Sequence, residues 1–144
     1  MSNRIAFQKV APESYNALIG LGKALASSAV TKTHQELIKI RASQVNGCAF
    51  CINMHTTDAR KNGETEQRIY LLNAWRETDL YTEEEKAILA LTEEVTMISN
   101  QVSDETYQNA AKLFDEKYLA DVLMLIIIIN GWNRMAITTG LRVS

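Results

Sequence analysis

Three observations predict an all-α fold. The chain has 144 residues with one Pro and six Gly, too little turn chemistry for an all-β arrangement. Helix start and stop signals recur along it, and between them apolar residues repeat at helical spacing. The length suits a single core able to bury about two-thirds of its surface, so residues 1–144 are read as one domain needing no disulfide staples.

Pro12 and Glu13 fit the first turn of a helix running to about Ser27, with Tyr15, Leu18, Ile19, Leu21 and Leu25 as its apolar stripe. Thr33-His34-Gln35-Glu36 has capping-box spacing and opens a helix through Leu37, Ile38, Arg41 and Val45. Asn46-Gly47 is its stop, since both residues tolerate positive φ. A helix from Cys48 to Asn62 follows and ends at Gly63. Thr65 caps a short helix carrying Ile69, Leu71, Leu72 and Trp75. Thr82 to Glu85 form a second capping box, opening a helix with Ile88, Leu89, Leu91, Val95 and Ile98. Ser103-Asp104 starts the next, through Ala110, Leu113 and Phe114, and the last spans Tyr118 to Thr139 with Gly140 as its stop. The expected total is six to seven helices.

The last helix is apolar all round from Val122 to Ile129, which predicts burial on every side, in the domain centre or a subunit interface. That run is far shorter than the roughly 20 residues needed to span a bilayer, so no membrane association is expected. Val45-Asn46-Gly47-Cys48 and Ile129-Asn130-Gly131-Trp132 echo one another and suggest a duplicated helical hairpin. Net charge is −2, with 15 Lys+Arg spread among 17 Asp+Glu, a balance that excludes nucleic acid as the principal partner. The N-terminal stretch has no basic start, apolar run and cleavage site, so no secretory leader is expected. A cytoplasmic, reducing setting follows, where a Cys pair more often does chemistry than bracing.

The chemistry lies between Glu36 and His55. Cys48, Cys51 and His55 stand at i, i+3 and i+7, so all three project from one helical face. A Cys-x-x-Cys pair closes a disulfide readily, and a thiol at a helix N-terminus is acidified by the unpaired N–H groups there. His55, four residues beyond Cys51, is placed to accept a thiol proton. The helix dipole favours Cys48 as thiolate whereas His55 favours Cys51, and both thiols are required for turnover either way. Glu36 can orient His55 if the two helices pack antiparallel across Asn46-Gly47. Equally, it can serve only as the third residue of a capping box on Thr33. A zinc site on Cys48, Cys51, His55 and His34 is a rival, opposed by the helical setting of the cysteines and the lack of a second ligand pair. The cysteines can also be read as small buried apolar residues. Trp132, Asn133 and Arg134 shape a pocket or an interface, or Arg134 pairs internally with Glu85. Arg41 and Ser43 reach the cysteines only through folding.

This pattern of Glu36, a Cys-x-x-Cys pair twelve residues on, and His55 four residues after the second Cys resembles the alkylhydroperoxidase D-like family, within the carboxymuconolactone decarboxylase superfamily. Trp75-Arg76-Glu77 with Leu80 to Glu85 is similar to the family's middle region, and Asn130 to Arg134 to its C-terminal helix. The resemblance implies an all-helical subunit assembling into homotrimers or homohexamers. It also implies reduction of hydroperoxides, with electrons from a dithiol donor such as a lipoylated or thioredoxin-like protein and no cofactor or metal. Carried over, Cys51 is the peroxidatic residue, Cys48 the more exposed partner that donates a proton and closes the disulfide, and His55 with Glu36 the proton relay. Where some family peroxidases carry a second His between the cysteines this chain has Phe50, which implies a shorter relay and weaker activity. The residues are also compatible with two other functions. One is an acid–base decarboxylase acting on a lactone, which gives the thiols no purpose. The other is a non-catalytic redox sensor or zinc-bound helical assembly module.

Overall fold

Thr31, rather than Thr33, begins the helix that carries Glu36. In the computed structural model, which describes residues 4–144, the Thr31 side chain accepts from the His34 backbone N–H at 3.2 Å. The residue three places on is then His34, no reciprocal box forms, and Glu36 is left free to cross to a neighbouring helix. Eight α-helices are present among the described residues: α1 (Phe7–Val10), α2 (Pro12–Ala26), α3 (Lys32–Asn46), α4 (Ala49–Lys61), α5 (Glu66–Tyr70), α6 (Glu83–Thr96), α7 (Asp104–Leu113) and α8 (Glu116–Thr139). The all-α prediction holds, with α1 as an element the sequence reading lacks.

Most other boundaries fall where side chains satisfy the orphan N–H groups of a first turn. Thr82 and Glu85 make the expected reciprocal box at α6. Ser103 caps α7, and Asp115 caps α8 by accepting from Tyr118 N at 2.8 Å, which starts that helix two residues before Tyr118. The helix expected from Thr65 to Trp75 is broken: α5 gives way to a 3₁₀ stretch, Leu72–Glu77, in which Ala74 leaves helical geometry. The break lets Trp75 bury its ring while its Nε1–H donates to Glu93 at 2.9 Å.

Two large apolar clusters, and a small third one in which Cys48 and Cys51 pack on Ala136, form the core. Ile38 of α3, Ile88 and Leu91 of α6, Leu25 of α2 and Val122, Leu125, Ile126 and Ile129 of α8 make the larger one. Leu37 and Ile40 from the next face of α3 meet Leu72, Trp75, Tyr81 and Leu89 in the smaller. Helix α3 is therefore central, packed on α4, α6 and α8. Helix α8 is long and apolar enough to cross a membrane by length and composition, yet its Val122, Ile126 and Ile129 lie in the core. It is not buried on every side as expected: Ile127 is 54% exposed. The sequence echo does not mark equivalent structures either. Asn46-Gly47 ends α3, with Gly47 at φ 69°, whereas Asn130-Gly131 lies inside α8.

Candidate functional site

The turn between α3 and α4 delivers the cysteines. Gly47 N–H bonds to Gln44 O at 3.2 Å and Cys48 N–H to Ser43 O at 2.9 Å, the paired bonds of a Schellman motif with glycine in the left-handed position. Cys48 is then the N-cap of α4, its Sγ accepting from Cys51 N at 3.3 Å. The two cysteines are joined as a disulfide, so the structure holds the oxidised form of the pair. Behind the turn, Asn46 Nδ2 donates to Asn130 Oδ1 and Asn133 Oδ1, both at 2.9 Å, and the fully buried Asn133 donates to Ser43 Oγ at 2.9 Å. These bonds pin the turn to α8.

Antiparallel packing of α3 on α4 brings Glu36 to His55. Glu36 Oε2 lies 3.2 Å from His55 Nδ1, while Oε1 takes Lys39 Nζ at 3.4 Å. Both side chains are largely buried, at 10% and 13% exposure. Burial alone would raise the Glu36 carboxyl, but the contacts with His55 and Lys39 outweigh it and hold the group below its ordinary value. An ionised carboxylate on Nδ1 selects the tautomer with Nδ1–H donating and leaves Nε2 as an acceptor.

Cys51 and His55 line a cavity of about 840 Å³, within the range of small-molecule sites. Phe50 and Met54 of α4, Tyr15 and Ile19 of α2, and Ile128 and Trp132 of α8 add apolar walls, and Tyr15 and Trp132 meet edge-to-face at 5.6 Å. Residues from both ends of the described chain, including Phe7 and Leu141, close it further. The four sequence-predicted residues are thus gathered in one place. Cys48 does not fit the expectation of being the more exposed thiol, since both cysteines are 2% exposed and Cys51 is the one on the cavity wall.

Other expectations are redirected. His34 sits near the start of α3, roughly 18 Å of helix from the cysteine turn, with Nδ1 2.7 Å from Tyr118 Oη, so it is no partner to Cys48 and Cys51. Among the described residues no three His, Cys, Asp or Glu side chains are placed to hold a metal ion. Arg134 bonds to Asn130 Oδ1 at 2.9 Å, not to Glu85, which instead pairs with Arg68 at 2.8 Å. Arg41 Nε pairs with Glu93 at 2.8 Å and Ser43 Oγ donates to Lys39 O at 2.6 Å, so neither is turned to the thiols. Sequence reasoning missed Lys39 as the second partner of Glu36, although the i, i+3 spacing signals it.

A helical bundle that sets Cys-x-x-Cys on a helix start, with a His and a Glu behind it, is the AhpD-like arrangement. The chain belongs to the carboxymuconolactone decarboxylase family, whose model matches residues 12–94. It is 50% identical to the uncharacterized protein YdfG of Bacillus subtilis over 143 residues, covering 99% of this chain and 97% of that one. Among solved structures, it superposes with a TM-score of 0.95 and 34% identity on a protein of unknown function from Agrobacterium tumefaciens, a candidate AhpD antioxidant defence protein, over 100% of this chain and 99% of that one. The debrominase Bmp8, solved with 2,3,4-tribromopyrrole, shares the fold with a TM-score of 0.84 at 18% identity, over 93% of this chain and 72% of its own.

Proposed function

We propose that this single-domain chain is a thiol-dependent peroxidase in which Cys51 attacks a hydroperoxide, Cys48 resolves it, and Glu36 with His55 manages the protons. The observation that carries the reading is the Glu36–His55 contact at 3.2 Å, on a histidine that lines the same cavity as Cys51 one helical turn away. Glu36 fixes the imidazole so that Nε2 takes the thiol proton, which is the general form of an activated nucleophile. The Cys51 thiolate attacks the distal peroxide oxygen, the O–O bond breaks, and the departing alkoxide takes a proton to leave as an alcohol. Cys51 is now a sulfenic acid. Cys48 then attacks the Cys51 sulfur, the S–O bond breaks, and the proton given up by the Cys48 thiol passes to the departing hydroxide, which leaves as water as the disulfide seen in the structure forms. A dithiol donor then restores both thiols and leaves as its own disulfide.

The donor class proposed is a lipoylated or thioredoxin-like protein, in a reducing cytoplasm. The subunit is proposed to act as a homotrimer or homohexamer, consistent with exposed apolar residues such as Ile127 on α8. Stopped-flow consumption of an alkyl hydroperoxide with dihydrolipoamide as reductant tests the reading. Turnover by the parent and none by Cys51→Ser is expected. Equal turnover by both proteins overturns the assignment of Cys51. Lactone decarboxylation by a protein with both cysteines changed to Ala would favour the family's acid–base chemistry instead.

A further inference from the structure

We propose that the cavity at Cys51 selects an amphipathic organic anion, so that the preferred oxidant is a hydroperoxide bearing a carboxylate. The choice of a hydroperoxide rests on the peroxidase reading above; the binding of an amphipathic anion does not. Two properties of the cavity carry the inference. Its volume of about 840 Å³ and walls of Tyr15, Ile19, Ile128 and Trp132 far exceed what hydrogen peroxide requires and suit an extended apolar tail. Its charge is one-sided: Arg4, Lys39 and Arg142 line it from three separate segments, and no acidic residue does.

That asymmetry stands out in a chain with net charge −2, where acidic residues outnumber basic ones by 17 to 15. Low-dielectric walls focus the field of such cations onto a bound anion. The three differ in what they can give. Lys39 is already held by Glu36 at 3.4 Å, and Arg4 donates to Thr138 O at 2.8 Å. Arg142 makes no ion pair with any described residue and keeps its whole guanidinium fork for a carboxylate. An uncharged or cationic tail of the same length would fill the walls and leave the Arg142 charge unanswered, which is how a site discriminates rather than merely binds.

Titration calorimetry at low salt with decanoate and decyltrimethylammonium as probes separates the two properties, because neither probe can react. Decanoate is expected to bind one per chain and at least about tenfold tighter than the cation. Arg142→Glu should abolish that preference, and Gly22→Leu, which places a side chain against Ile128 in the cavity wall, should weaken both probes; circular dichroism checks that each variant is folded. Equal affinity for the two probes, no saturable binding, or an unchanged preference in a folded Arg142→Glu protein would overturn the inference. With a C18 hydroperoxy acid and its methyl ester as oxidants, kcat/KM should favour the acid by about tenfold, mainly through KM. Turnover of both at equal kcat/KM overturns the preference while leaving the peroxidase reading intact. Decanoate binding without turnover of any hydroperoxide overturns the peroxidase reading and leaves the anion site standing.

Discussion

His55 Nδ1 lies 3.2 Å from Glu36 Oε2, two side chains brought together from antiparallel helices whose connecting turn ends at Cys48, with Cys51 in the first turn of the second helix. The contact spends one imidazole nitrogen on the carboxylate and frees the other for proton transfer. Against the effect of burial, the hydrogen bond with His55 and Lys39 on the second carboxylate oxygen hold the Glu36 carboxyl below its ordinary value, so the proposed relay starts from an ionised Glu36.

Replacing Glu36 by Gln keeps the shape but removes the carboxylate, itself held below its ordinary value, that orients His55 through Nδ1. The second-order rate constant for hydroperoxide reduction should fall by about 10²-fold. Its pH profile should move as well, which a purely structural role for Glu36 would not cause. An unaltered profile with a lowered rate would show that the carboxylate only packs.

Acid should lower the stability of the folded chain in two stages. His34 is lowered from its ordinary 6.5 by burial, so its contribution is full above that value and is lost as pH falls through the lower folded value. For Glu36, Glu85 and Glu93, burial is outweighed by hydrogen bonds from His55, Arg68 and Arg76 respectively, holding each carboxyl below 4.5. Their contribution is full above 4.5 and is lost as pH falls through the lowered values. Urea midpoints measured down the pH scale should decline gently below about 6.5 and steeply below about 4.5, and His34→Gln should remove the gentle limb alone.

Gly47 adopts φ 69° with nothing within 4 Å of where a Cβ would stand. Gly47→Ala should therefore cost only the backbone term, about 1–2 kcal/mol by urea unfolding. A much larger loss would mean that the Schellman turn has no room after all.

Glu93 accepts from Arg41 Nε, Trp75 Nε1 and Arg76, the first two at 2.8 and 2.9 Å. Glu93→Ala leaves a buried guanidinium and an indole N–H without an acceptor and should cost about 3 kcal/mol. A double change of Glu93 and Arg41 to apolar residues should recover part of that loss.

The local chemistry of this fold is legible in the sequence because it is periodic or short-range. Thr82 with Glu85, Gly47 and Gly140 act at the positions where their residue types and spacing put them. Cys48 at the N-cap of α4, and Cys51 and His55 one turn apart along it on the same cavity, follow from helical spacing. Thr31 was hidden by Thr33, since both precede the same apolar run and only tertiary packing shows that Glu36 is engaged elsewhere. Trp75 with Glu93 and Arg68 with Glu85 are contacts between separate elements, 18 and 17 residues apart, with no local signature. The cavity is harder still to foresee: its walls come from α2, α3, α4, α8 and both ends of the described chain, and no spacing rule links Tyr15 to Trp132 or Lys39 to Arg142.

The most direct test of Cys51 as the nucleophile is to trap its product. Reduced Cys48→Ser protein, given one equivalent of alkyl hydroperoxide in the presence of dimedone, should carry a single dimedone adduct on Cys51 by peptide mass spectrometry, formed as fast as the peroxide is consumed. An unmodified Cys51 under these conditions, or an adduct on Cys48 forming at the parent's rate in Cys51→Ser protein, would contradict it.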